Sequence, residues 1–283
     1  MHLIDTHTHI YGEEFDQDRS EMIQRSIEAG VKTLILPAID PESFDRQEAL
    51  WEAYQSPTEN PEIHIHQMMG LHPTSVKENY QQWLFQTEQL LMQHPEKYCA
   101  VGEIGLDYYW DRTFENEQQE VLKIQMQWAQ QLDKPVALHV RNAYQEMFAL
   151  LRGLQYTTYK GVMHCFGGTP EEALTAVEMG FHIGIGGVVT FKKAEMAKVV
   201  ETIPLEHLLL ETDAPYLAPV PYRGKRNESA YVLEVAKKIA EIKQVSLEEV
   251  AIVTTHNANQ LFGLETALPQ SQEEGMNNHQ RPL

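Results

Sequence analysis

The sequence predicts an α/β chain folded as a (β/α)8 TIM barrel, and three observations predict it. Eight short apolar runs rich in Val, Ile and Leu recur along the 283 residues. Longer, charged, amphipathic stretches separate them, each long enough for a helix. Several of the apolar runs end on a histidine or a carboxylate, and the C-terminal rim of such a barrel is where reactive side chains gather. A hydrophobic share of 42% can fill one large core. The alternation alone remains compatible with an open doubly wound sheet.

The strands are expected at 3–6, 33–37, 64–70, 99–103, 136–139, 161–164, 181–186 and 207–211. Their near-continuous apolar character suits parallel strands buried on both faces. Helices are expected at 18–30, 41–55, 77–94, 114–133, 143–153, 170–179, 193–203 and 229–243. Gly30 and Gly180 follow two of them as stops, and Thr169 before Pro170 is an N-cap followed by proline at the first helical position. Ser246 caps one more helix, ending near Gly263. No linker or repeat divides residues 1–263, and the polar stretch 264–283 reads as a flexible tail.

The titratable residues fall at telling places. "IDTHTH" sets His7 and His9 two apart, so that in an extended strand both point to one face. Glu103 ends the fourth run, His139 the fifth and His164 the sixth, and Asp213 follows the eighth. Buried without partners, such groups are costly. Gathered at one rim, they satisfy each other by holding cations. His72, in "GLHP", ends the third run facing the same site and is a candidate substrate contact. His64 and His66 begin that run and belong to the opposite end, as structural residues. Cys165 should point away from its neighbour His164 and serve packing.

Forty-one acids against 22 bases give a formal net charge of −19. Such a surface repels polyanions, so no stable nucleic-acid groove is expected. The two cysteines, Cys99 and Cys165, are too few for a disulfide scaffold and read as buried thiols in a reducing compartment. No signal peptide and no apolar run approaching the ~20 residues of a membrane span is present, so the expectation is a cytoplasmic protein without a membrane partner.

In order along the chain, "IDTHTH", "GLHP", "VGEIGLDYY", "PVALHVRNA", "GVMHCFGGTPEEA", "GGVVTFKKA", "LLLETDAPYLAP" and "RGKRNE" resemble the TatD family of metal-dependent hydrolases, within the amidohydrolase-type barrels. The resemblance spans residues 1 to about 263. It implies a centre of two divalent metal ions. His7, His9, Glu103 and Asp213 would bind one, and Glu103, His139 and His164 the other, with Glu103 bridging. It also implies deoxyribonuclease or related phosphodiesterase activity; some relatives deacylate tRNA. Three departures leave the ligands intact: Ser229 replaces the proline of the family's "NEP", Val140 replaces a serine before Arg141, and Gly167 stands in "HCFGG".

A mixed nitrogen and oxygen site suits Zn, Mn, Ni or Fe; Mg prefers all-oxygen shells and would sit there less comfortably. Asp213 and Glu103 are the expected catalytic carboxylates, Asp213 as proton acceptor. Arg141, Lys192, Lys193 and the Arg223, Lys225, Arg226 cluster lie on the rim loops. Arg141, Arg223, Lys225 and Arg226 are candidates to clamp a phosphate, with an ordinary exposed loop as the alternative for the cluster. Tyr108, Tyr109 and Trp110 offer rings for a terminal base, or rim packing. Asp5 and Glu211 are candidates to orient ligand histidines, with packing open for Glu211. The expected substrate is DNA or another phosphodiester. Hydrolysis of a carboxylic ester, lactone or amide, including aminoacyl-tRNA, is the competing reading, and a scaffold that only holds metal is a third.

Overall fold

The computed structural model describes residues 1–264 apart from 57, 155, 157–158 and 193–194. The expected tail at 265–283, and Lys193, lie outside the described residues.

Eight parallel strands follow one another in sequence order around the sheet. They are β1 (Leu3–Asp5), β2 (Val31–Leu36), β3 (His64–Met69), β4 (Tyr98–Asp107), β5 (Val136–Arg141), β6 (Gly161–Met163), β7 (Phe181–Ile185) and β8 (Leu208–Leu210). The sheet closes on itself where the Thr6 amide donates to the Leu210 carbonyl at 3.0 Å and Thr8 bridges Ala214 in parallel. This closure decides between the barrel and an open sheet. Helices α1 (Arg19–Glu28), α2 (Pro41–Ala53), α3 (Tyr80–Gln93), α4 (Glu115–Gln131), α5 (Tyr144–Gly153), α6 (Pro170–Glu178), α7 (Met196–Thr202) and α8 (Val232–Lys243) alternate with the strands, and α9 (Leu247–Phe262) follows.

Local chemistry sets the ends of these elements. At α6 the Thr169 hydroxyl accepts from the Glu172 amide at 3.2 Å, and the Glu172 carboxylate accepts from the Thr169 amide at 2.8 Å, a complete capping box. The Ser246 hydroxyl accepts from the Glu249 amide at 3.0 Å, and Gly263 ends α9 with φ +63°.

Two apolar layers hold the barrel. The larger lies between strands and helices and includes Leu3, Leu34, Leu36, Val101 and Leu138. The smaller fills the interior: Ile4, Ile35, Met68, Ala100, Ala137, Val162 and Leu209, closed from below by Ala258, Phe262 and Leu264. Thus α9 stoppers the lower end, and the polar residues must collect at the upper, C-terminal end. His66 lines a separate cavity of about 640 Å³ beside that lower closure, with Lys134 and Phe262.

The strand ends differ from expectation in ways that matter. β1 stops at Asp5, so His7 and His9 ride on the segment beyond it. Hydrogen bonds from the Thr8 amide to Ile35 and the His9 amide to Ala214 keep that segment extended. β4 runs four residues past Glu103, and β5 runs two past His139, so both side chains sit within strands.

Candidate metal centre

Glu103 lies at the middle of the mouth, almost fully buried. Its Oε2 faces His7 Nε2 at 3.1 Å and His9 Nε2 at 3.7 Å. Its Oε1 faces His164 Nε2 at 2.6 Å, His139 Nδ1 at 2.9 Å and His72 Nε2 at 3.1 Å. Asp213 Oδ1 stands 3.3 Å from His9 Nε2 and 4.0 Å from His7 Nε2. The His7 and His164 rings stack at 3.7 Å. The six residues expected to meet are brought together, and His72 joins them. Three overlapping sets have ligand atoms mutually within 4.8 Å: His7, His164, Asp213; His7, His9, Glu103; and His72, Glu103, His139.

Neighbouring groups fix the ring protons, and this tests whether the residues fit a metal. The Tyr11 hydroxyl donates to the Pro37 carbonyl at 2.7 Å, so toward His9 Nδ1, 2.9 Å away, it can only accept. His9 therefore carries its proton on Nδ1 and turns a bare Nε2 toward Glu103 and Asp213. His139 Nε2 donates to Asp107 Oδ2 at 2.9 Å, leaving Nδ1 as the atom aimed at Glu103. Bare nitrogens facing carboxylate oxygens repel unless a cation lies between them, so the donor set fits divalent metal. Burial alone would lower the His139 pKa, but bonds to Asp107 and Glu103 outweigh it and raise it to about 9. His7 shows the opposite balance; burial, then the neighbouring His164, lowers its pKa to about 3. Burial alone would raise Glu103, but the surrounding histidines hold its carboxyl well below the usual range.

His72 is of a different kind. Its Nδ1 accepts from the Thr74 amide at 3.1 Å, so in the neutral ring the proton sits on Nε2. His72 is thus an N–H donor into the mouth rather than a bare nitrogen.

The supporting residues act through backbone as much as through side chains. Asp5 Oδ1 accepts from the Thr212 amide at 2.9 Å and the His7 amide at 3.4 Å, while Oδ2 accepts from the Thr212 hydroxyl at 2.6 Å. Asp5 therefore ties the His7 segment to the Asp213 segment and holds His7 through its backbone amide rather than through its ring. Burial pushes its pKa up to about 7. Glu211 accepts from the Cys165 amide, and its Oε1 lies 3.9 Å from His164 Nδ1. Asp213 holds φ +56°, a conformation that Asp tolerates better than most residues, pinned by its amide bond to the His7 carbonyl at 2.9 Å. The Asn227 amide group donates to the Thr212 and Tyr216 carbonyls at 2.8 and 2.6 Å, and Ser229 Oγ meets Thr8 Oγ1 at 3.2 Å. The segment that departs from the family's proline thus braces the same loop.

Asp107 was missed by the sequence reading. It holds His139, and its Oδ1 accepts from the Tyr109 amide at 2.9 Å. The signal was available: residues 103, 105 and 107 alternate along β4. Gly105 between them allows β5 to approach; a Cβ there would stand 1.9 Å from the His139 carbonyl oxygen.

The cationic cluster is corrected. Arg226 is paired with Asp18 at 2.7 and 2.8 Å and lies over the Phe15 ring at 4.4 Å, so it braces the loop onto α1. Arg223 covers Phe191 at 4.3 Å. Neither they nor Lys225 line the cavity of about 1080 Å³ above Glu103, whereas His72, Arg141, Tyr109 and Trp110 do. Tyr108 is buried, its hydroxyl bonded to Gln119, and offers no exposed ring. Cys165 also lines this cavity, because φ +43° breaks the alternation that would have turned it away.

A closed (β/α)8 barrel with four inward histidines and two carboxylates around one mouth is built as a metal-dependent hydrolase. Residues 4–263 match the family profile described as TatD related DNase. The chain is 37% identical over 261 residues to the uncharacterized metal-dependent hydrolase YabD of Bacillus subtilis, covering 92% of this chain and 98% of that one. It is 31% identical over 270 residues to the 3'-5' ssDNA/RNA exonuclease TatD of Pantoea ananatis, covering 93% and 100%. The crystal structure of YjjV, a TatD homologue of Escherichia coli, superposes with a TM-score of 0.85 at 33% identity, covering 93% of this chain and 98% of that one. The chain belongs to the TatD family of metal-dependent hydrolases. No helix among the described residues is long and apolar enough to cross a membrane.

Proposed function

We propose that this protein is a phosphodiesterase that cleaves DNA at an unpaired strand end. Residues 1–263 form the catalytic unit in this reading, acting in the cytoplasm, where the free thiols of Cys99 and Cys165 stay reduced. One observation carries it: the two oxygens of Glu103 each face a different set of imidazoles. His7, His9, Asp213 and Glu103 Oε2 would hold one divalent ion, and His139, His164 and Glu103 Oε1 the other. The second set lacks a terminal carboxylate and is the more open to substrate. When bound, such a pair lowers the pKa of water and neutralises phosphoryl oxygens.

The chain's own groups supply the rest. Asp213 would take the proton of the attacking water as the new P–O bond forms and pass it to the departing ester oxygen as its P–O bond breaks. The Asp213 carboxylate is 15% exposed, against 3% for Glu103. The His72 Nε2–H, which lies 3.1 Å from Glu103 Oε1, would turn to a phosphoryl oxygen once that carboxylate is held by metal, and Arg141 would attract the phosphate from the rim. The exonuclease name of the Pantoea ananatis relative supports an end-directed attack on a single strand.

The test is incubation of the protein, loaded in turn with Zn, Mn, Ni, Fe and Mg, with end-labelled single-stranded DNA, beside a p-nitrophenyl carboxylic ester panel. Stepwise shortening that Glu103→Gln abolishes, with two metal equivalents by elemental analysis, is the expected result. Preference for the carboxylic esters, or no cleavage with any metal beside an active nuclease, refutes the phosphodiesterase reading.

A further inference from the structure

We propose that Tyr109, Trp110 and Arg141 form a stacking subsite for an unpaired nucleobase beside the scissile phosphate; this rests on the phosphodiesterase reading above. The two rings are unusually bare, with Tyr109 52% and Trp110 69% exposed. They meet edge to face at 4.8 Å, and the Arg141 guanidinium lies 3.9 Å from the Tyr109 centroid and 5.1 Å from that of Trp110. Arg141 forms no ion pair among the described residues. In a chain with 41 acids against 22 bases, an arginine left to aromatic faces at the reactive mouth is placed for an anion that arrives with a flat ring.

The position of this shelf is fixed relative to the chemistry. Asp107 and Arg141 are register partners on β4 and β5. One oxygen of Asp107 holds His139 at 2.9 Å, and the other holds the Tyr109 and Trp110 amides at 2.9 and 3.4 Å. The Tyr108 amide donates to the Arg141 carbonyl at 3.0 Å. A single carboxylate thus fixes a proposed metal ligand and the aromatic pair, and all three shelf residues line the cavity above Glu103. A base stacked there keeps its own phosphate within that cavity. A base paired in a duplex has both faces covered by neighbours, so the shelf selects an unpaired one. An aliphatic acyl group gains little from it.

Base–aromatic stacking is worth a factor of roughly 5 to 160 in binding per base. Two measurements on the full chain test the proposal. First, tryptophan emission is titrated with thymidine monophosphate and with deoxyribose phosphate. Quenching by the nucleotide alone, lost in Trp110→Ala, is expected. Second, KM is compared for strands ending in thymidine and in dihydrothymidine, whose ring is not aromatic. The protein should prefer thymidine, and Trp110→Ala and Tyr109→Ala should erase the preference through KM with metal content unchanged. Equal KM values for the two ends, or quenching that survives Trp110→Ala, overturn the subsite. Quenching without cleavage of any strand keeps the subsite and removes the hydrolytic reading instead.

Discussion

Replacing Asp107 by Asn is the most informative single perturbation of the centre. The carboxylate accepts from His139 Nε2 at 2.9 Å and from the Tyr109 and Trp110 amides at 2.9 and 3.4 Å. Burial alone would raise its pKa, but the bonds from His139 and from the Tyr109 and Trp110 amides together outweigh that and hold it below the usual value. Asn is nearly the same shape but has one acceptor oxygen in place of two. If that oxygen serves the backbone amides, its NH2 meets the His139 N–H. His139 must then move its proton to Nδ1, the atom aimed at Glu103. If the oxygen serves His139, two backbone amides lose their acceptor. A hydrogen bond to a charged group contributes about 1.5–3 kcal/mol. Loss of a carboxylate behind a metal-binding histidine costs about 10- to 100-fold in metal affinity, or roughly 1.4–2.8 kcal/mol. The two magnitudes agree. Competition against a chromophoric chelator should show one of two metal equivalents weakened by that factor and the other unchanged, with the circular dichroism of the fold retained. Wild-type affinity for both equivalents would refute the idea that Asp107 sets the His139 proton.

Further outcomes follow from the same contacts. Arg226→Ala should leave KM for a short single strand near wild type while lowering the urea midpoint, because Arg226 is committed to Asp18; a large rise in KM would restore the phosphate clamp. Hydrogen bonds from Arg226 and then Arg25 lower the Asp18 pKa to about 2, so the stabilisation they give is complete above the unfolded value near 4 and fades as pH falls through about 2. The stability gap between wild type and Asp18→Asn in urea titrations should therefore narrow as pH falls below about 4; a constant gap would contradict the pairing. Gly184→Ala places a Cβ 2.3 Å from Glu211 Oε2 and 3.0 Å from His164 Cα. Overpacking of this kind costs about 1–3 kcal/mol, which urea melts should show together with reduced metal content; wild-type values for both would mean that Glu211 has room to move. Removing metal with a chelator should lower the melting temperature, since a ligand at about 100 times its Kd stabilises by about 2.7 kcal/mol; an unchanged melt would argue against occupancy of the centre.

The residues of the centre were legible because each lies at, or within three residues of, the end of an apolar run or inside one, and the barrel rule supplies the rest. Closure was not legible. It depends on Thr6 meeting Leu210 and Thr8 meeting Ala214, pairs from opposite ends of the sequence that no local period records. The Arg226 partner was hidden for the same reason, since Asp18 is 208 residues away and charge density says nothing of pairing. Cys165 was misplaced because alternation presumes extended backbone, and φ +43° is not extended. His72 was legible as a residue of the site but not as a donor. Its ring proton is set by the Thr74 amide two residues on, a bond that exists only once Pro73 starts the short turn Pro73–Ser75.

These assignments bear on how an acidic protein receives a polyanion. With a formal net charge of −19, the surface works against DNA at long range. The two arginines of the rim cluster are spent on Asp18 and on Phe191, and Lys225 does not line the cavity. A protein that grips DNA through many phosphates shows binding that falls steeply with salt. Among the described residues, the Lys and Arg side chains lining the cavity reduce to Arg141, beside whatever the Glu103 centre holds. On the proposed function, affinity would come from one phosphate neutralised at the centre and one base stacked at its edge. Such binding depends only shallowly on salt and extends over few nucleotides. The geometry of the mouth and the charge of the surface therefore favour the same substrate, a strand end rather than the body of a duplex.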